Sequence, residues 1–153
     1  MSREIYFGFE KNLLKTDINS KEIFNPPKEY EKNLWFLKDI FFEEDISERI
    51  ILKLPNRYKK YKWYQFQSML KPFNVNKKIK IDMPDYYEAS RQLTNWLKNF
   101  IIKNSLNQHI VMLVIWNNNK DFNKLEEIEI DLNQVDCDEC SLPKDWTISS
   151  FKY

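Results

Sequence analysis

His109-Ile-Val-Met-Leu-Val-Ile-Trp116 is the stretch on which the fold turns. It is a continuous apolar run, rich in β-branched residues and too short for a typical helix of this hydrophobicity, which predicts a strand buried on both faces. A strand of that kind needs neighbours on either side and a layer of helix above it. The residues just upstream supply the helix. Asp82-Met-Pro84 reads as a helix start, and Tyr86, Ala89, Leu93, Trp96, Leu97, Phe100 and Ile101 keep one face apolar to about residue 103. Downstream, Asn117-Asn-Asn119 marks a turn, and Leu125-Glu-Glu-Ile-Glu-Ile-Asp-Leu132 alternates acid with aliphatic, as a strand with one wet face does. Asp145 to Tyr153 reads as a final strand.

Toward the N-terminus the pattern is more mixed. Ile5-Tyr-Phe-Gly-Phe9 reads as a first strand. Asn25-Pro-Pro-Lys28 followed by Tyr30, Leu34, Leu37 and Phe41 predicts a helix over 26–42. Asp45-Ile-Ser-Glu48 resembles a capping box opening a second short helix that Pro55 would stop. The segment 57–70 fits a helical stripe through Trp63, Phe66 and Leu70, but its density of rings favours a strand over 60–69. Lys77-Lys-Ile-Lys-Ile81 alternates and is expected to be another strand. There is no internal repeat and no linker long enough to divide the chain. The expectation is one α+β domain over 1–153, with a mostly antiparallel sheet and helices packed on one face.

Composition narrows the function. Of 153 residues, 42% are hydrophobic and 16% aromatic, far too rich for a disordered chain and enough for a core built largely of rings. No apolar run is long enough to span a bilayer, and no export signal is visible at the start. Two cysteines in that setting point to a reducing compartment, so a cytoplasmic domain is expected. A single glycine, Gly8, rules out phosphate-cradling loops and the dinucleotide fingerprint. A single histidine, His109, at the head of an apolar run reads as a strand-end residue and removes His-rich metal sites. No catalytic constellation, cofactor or metal is expected. Cys137-Asp-Glu-Cys140 is a lone CxxC without a second pair for zinc, and its intervening acids oppose the lowered thiol pKa that redox chemistry needs.

The strongest nonrandom feature is charge. Nine Lys or Arg and no acid lie between Lys53 and Lys80; seven carboxylates and no base lie between Glu126 and Glu139. The net charge of +1 hides these two blocks. "RYKKYKWYQFQ" over 57–67 would suit nucleic acid, with lysines on phosphates and Tyr61, Trp63, Tyr64 or Phe66 stacked on bases. Against that stand the near-neutral whole, the scarcity of arginine and the need of an aromatic core for those same rings. The acidic block, Glu126, Glu127, Glu129, Asp131, Asp136, Asp138 and Glu139, admits the mirror reading, a surface for a basic partner. The competing reading is a solvated face paired internally with the 57–80 lysines.

In overall character, carried mostly by "KEYEKNLWFLKDIFFEEDI" (28–46) and "LEEIEIDLNQVDCDEC" (125–140), the chain resembles the immunity proteins of bacterial contact-dependent growth inhibition and related polymorphic toxin systems. These diverge with their toxins and share no family-wide motif, so no residue role is carried over. The resemblance implies a non-catalytic antitoxin that binds the toxic C-terminal domain of one cognate effector, often a nuclease, by protein–protein interaction. It gives the acidic block the task of occluding a basic cleft, and leaves 57–80 as scaffold or secondary contact.

Overall fold

The computed structural model describes residues 3–11, 41–44, 53–67, 70, 72–116 and 125–153. It is an α+β fold around a six-stranded sheet of order β2-β3-β1-β4-β6-β5. The strands are β1 (Arg3–Phe9), β2 (Phe41–Glu44), β3 (Lys62–Gln67), β4 (Ile110–Trp116), β5 (Glu126–Asp131) and β6 (Thr147–Lys152). Neighbours pair antiparallel except β5 and β6, which run parallel with Ile128 opposite Ser149 and Glu129 opposite Ser150.

The helices are α1 (Asn56–Lys59), α2 (Lys77–Asp82) and α3 (Pro84–Ser105). The two central strands explain the rest. β4 sends Ile110, Met112 and Val114 into one core with Ile5, Phe7 and Phe9 of β1 and Tyr64 and Phe66 of β3. On that face lies α3, whose buried Ala89, Leu93, Leu97, Phe100 and Ile101 repeat at helical spacing. Pro84 opens this helix where a missing N–H costs nothing. The odd residues of β4, Val111, Leu113 and Ile115, join Tyr6, Trp63, Trp146 and Ile148 in a second cluster on the opposite face. There the single turn of α1 sits, with Tyr58 and Tyr61 packed against that cluster. Gly8 stands against the second cluster. A Cβ there would lie 2.9 Å from a methyl of Val111 and 3.0 Å from the Trp63 indole.

Residues 77–82 form a helix, not the strand that their alternation predicts. Asn76 decides it: its side-chain oxygen accepts the N–H of Ile79 at 2.9 Å, a helix N-cap. Five residues of alternation hold too little period to outweigh that cap, and Ile81 is 80% exposed. Phe41 and Phe42, the expected end of a helix, lie in β2, and residues 26–40 fall outside the described residues. So do 45–52, where the capping box lies, and 117–119, the expected turn. Pro55 stands at the N-cap of α1 and so opens a helical turn. The ambiguity over 57–70 resolves into α1 followed by β3.

After β5 the chain makes a 3-10 turn (Leu132–Gln134) and returns along the helix layer. Leu132 and Leu142 sink into the core beneath α3. Val75 and Cys140 exchange backbone hydrogen bonds of 3.0 and 2.9 Å, and the Tyr87 hydroxyl donates to the Asp138 carbonyl at 2.9 Å. The return ends at Trp146, whose φ of 64° is in the left-handed region that non-glycine residues seldom occupy. Its N–H donates to Val114 at 2.8 Å and its carbonyl accepts from Glu126 at 2.9 Å, so this residue ties β4, β5 and β6 at their junction.

Candidate functional site

The seven carboxylates expected to form one surface fall into separate places. Alternation along β5 puts Glu127, Glu129 and Asp131 on the face away from α3. Glu126 shares the helix-side face with Ile128 and Ile130 and pairs with Lys144 at 2.6 Å. Asp136, Asp138 and Glu139 lie in the return along α3, where Asp138 stands 3.9 Å from Arg91. The Arg91 guanidinium is itself held by Glu88 at 2.6 Å, and this bond draws the Glu88 carboxyl below its ordinary range.

The acids on the outer face of β5 differ in what they bind. Glu127 accepts a hydrogen bond from the Tyr58 hydroxyl and forms an ion pair with Arg57. Asp131 accepts the backbone N–H of Asn133 at 3.0 Å and so caps the 3-10 turn. Glu129, between them, has no hydrogen bond or ion pair among the described residues, and its side chain is exposed. In the return, Asp136 accepts the N–H of Asp138 at 2.9 Å, which shapes the turn that carries the CxxC motif.

The basic segment is largely scaffold. Trp63, Tyr64 and Phe66 are at most 6% exposed, so none offers a face for a base to stack on. Lys59, Lys60 and Lys62 point to solvent, as snorkelling stems over an aromatic core do. Tyr58 and Tyr61 remain half-buried and border a cavity of about 630 Å³ with Arg57, Glu10, His109 and Ser150. His109 stands just before β4, as a strand-end residue, and its backbone N–H donates to Glu10 at 2.6 Å. Burial, then the nearby Glu10 carboxylate, raises the Tyr61 phenol above its ordinary value. The sequence offered no signal for this cavity, because strand order alone brings residues 10, 57–61, 105–111 and 150–153 to one end of the sheet.

The thiols are poorly suited to chemistry. Burial raises both, Cys140 to about 11, so each is protonated at neutral pH. Among the described residues no group of three His, Cys, Asp or Glu could hold a metal ion, and no helix is long and apolar enough to cross a membrane. Comparison with protein-family models, with curated proteins and with solved structures yields no match for this chain.

Proposed function

We propose that the chain is a non-catalytic, stoichiometric binding protein of the immunity type, which neutralises a cognate toxin domain by laying carboxylates into its basic surface. One observation carries this reading: Glu127, Glu129 and Asp131 stand in a row on an edge strand, with Glu129 unengaged among the described residues. A nuclease cleft shaped for phosphates would receive that row as it receives its substrate. Burial of Trp63, Tyr64 and Phe66 weighs against the competing nucleic-acid reading, which needs those rings at the surface. Asp136, Asp138 and Glu139 form a second acidic patch beside α3 and serve as secondary contacts in this scheme.

The test is to ask whether the adjacent upstream gene encodes a protein with a C-terminal toxin domain and, with that domain in hand, to titrate it calorimetrically, with Glu127, Glu129 and Asp138 changed to Lys together and singly. A one-to-one complex is expected, weakened by the acidic changes and little altered by a triple change at Lys59, Lys60 and Lys62. Steering charges act on the association rate and its salt dependence, whereas a carboxylate buried against a partner cation costs about 2–5 kcal/mol when truncated. A complex lost with the lysines and kept with the acids would move the interface to the basic segment. Tight, steeply salt-dependent retardation of DNA or RNA would overturn the reading altogether.

A further inference from the structure

β5 ends the sheet, and among the described residues no strand pairs with its outer side. Its backbone directions follow from the register with β6. Glu126 donates its N–H to the carbonyl of Trp146 at 2.9 Å, so the peptide groups of Glu126, Ile128 and Ile130 face inward. Successive residues of a strand alternate, so Glu127 and Glu129 turn their N–H and C=O groups outward, and Asp131 its N–H, its carbonyl being taken by the 3-10 turn that it caps. The residues with outward hydrogen-bonding groups are therefore the residues with carboxylates on the face away from α3. On the other face Ile128 and Ile130 are half-buried, and Ile130 packs against the helix-side core.

We propose that the outer edge of β5 is a docking strand for an extended segment of the partner protein in which Lys or Arg alternates with aliphatic residues. A strand added here would bond to three outward residues, and its side chains would divide between two unlike faces. On one face its cations would stand opposite Glu127, Glu129 and Asp131, where opposite charges in cross-strand positions attract. On the other its aliphatic side chains would continue the row of Ile128 and Ile130 and cover their exposed flanks.

Charge also selects the occupant. A second copy laid antiparallel on β5 about Glu129 would set Glu129 against Glu129 and Glu127 against Asp131, like charges in contact. Acids on an edge strand commonly guard against such self-pairing. The same row that repels a copy of itself complements a basic strand. Backbone bonding demands an extended partner, and a folded basic surface or a nucleic acid would use the charge without the edge.

This inference rests on the reading of the chain as a binding protein, and its first test needs no toxin. The probe is a peptide of about eight residues, a usual strand length, alternating lysine and valine. Amide exchange by NMR should slow at Glu127, Glu129 and Asp131 when it binds. A scrambled peptide, one N-methylated at alternate positions, and the Glu129→Lys protein should each bind at least about tenfold more weakly, since backbone bonds, side-chain order and charge all contribute. Equal affinity for the scrambled or N-methylated peptide would overturn the proposal, as would absence of binding or an edge already protected in a dimer. A toxin complex in which these amides exchange freely would sink the docking strand and leave the proposed function standing. A docked peptide with no toxin complex would do the reverse.

Discussion

Arg57 and Glu127 are joined in an ion pair, so the basic and acidic blocks of the sequence meet in the folded chain. The same carboxylate accepts the Tyr58 hydroxyl, and Tyr58 lies under the Arg57 guanidinium, 4.9 Å from cation to ring centre. The pair links α1 to the edge strand across the face opposite α3. Much of it is in water: the Arg57 side chain is 59% exposed and that of Glu127 47%.

Solvent therefore limits what the pair contributes. A double-mutant cycle with Arg57→Ala and Glu127→Ala, followed by urea denaturation, should give a coupling of about 0.2–1 kcal/mol that shrinks with added salt. A coupling of several kcal/mol, indifferent to salt, would mean that this face is drier than its exposure indicates.

Gly8 has no room for a side chain unless a neighbour shifts. Its neighbours there, Val111 and the rim of Trp63, are both buried, and Trp63 is fixed by donating its indole N–H to the Tyr58 carbonyl at 3.0 Å. Gly8→Ala should destabilise the fold by about 1–3 kcal/mol through overpacking. Unchanged thermal denaturation would show that the indole yields more readily than its hydrogen bond suggests.

How far the sequence spoke depended on whether one element or several decided each question. β4 and α3 were legible because seven apolar residues in a row and a long helical stripe each allow one reading. Alternation made one wet face of β5 legible, but the expected face took in Glu126 with Glu127, Glu129 and Asp131, and Glu126 stands on the helix side beside Ile128. The 77–82 helix was not, since its alternation was short and the Asn76 cap was a single residue. The division of the acids into two patches was hidden as well. It depends on the path of 132–146, which is fixed by Val75, Tyr87 and the α3 surface, residues distant in sequence.

The thiols make a prediction at alkaline pH. Burial raises the folded-state value of Cys140 from 9.0 to about 11, and burial also raises Cys137. An acid whose folded value is raised favours the folded state fully below its ordinary value and loses that contribution as pH rises through the folded value. Stability should then fall between pH 9 and about 11, and Cys140→Ser should make the fall shallower. At neutral pH the thiols should react with a disulfide reagent far more slowly in the folded than in the unfolded chain. Fast native reaction would contradict both statements.

Glu88 predicts the opposite slope in acid. The bond from Arg91, with a further one from Gln92, lowers its carboxyl from the ordinary 4.5. The stability this supplies is present above the ordinary value and is lost as pH falls through the depressed one. Glu88→Gln should be less stable than the parent chain at neutral pH, and the two should converge well below the ordinary value of 4.5. A gap that persists in acid would place the cause in packing instead of charge.

The parallel pairing of β5 with β6 also orders events in time. Antiparallel neighbours can close through a short turn, but parallel ones must wait for the intervening chain to cross back. Here that crossing is 132–146, and its anchors, the Val75–Cys140 bridge and the Tyr87–Asp138 bond, exist only once α2 and α3 are in place. Assembly at this edge is thus conditional on the helix layer, with a long loop closed before any bond rewards it. In pulse-labelled refolding the amides of Ile128 and Ile130 should gain protection after those of Phe7 and Met112, and simultaneous protection would refute this order. A chain still emerging from synthesis has its central strands before it has this edge, so the acidic row comes into being last.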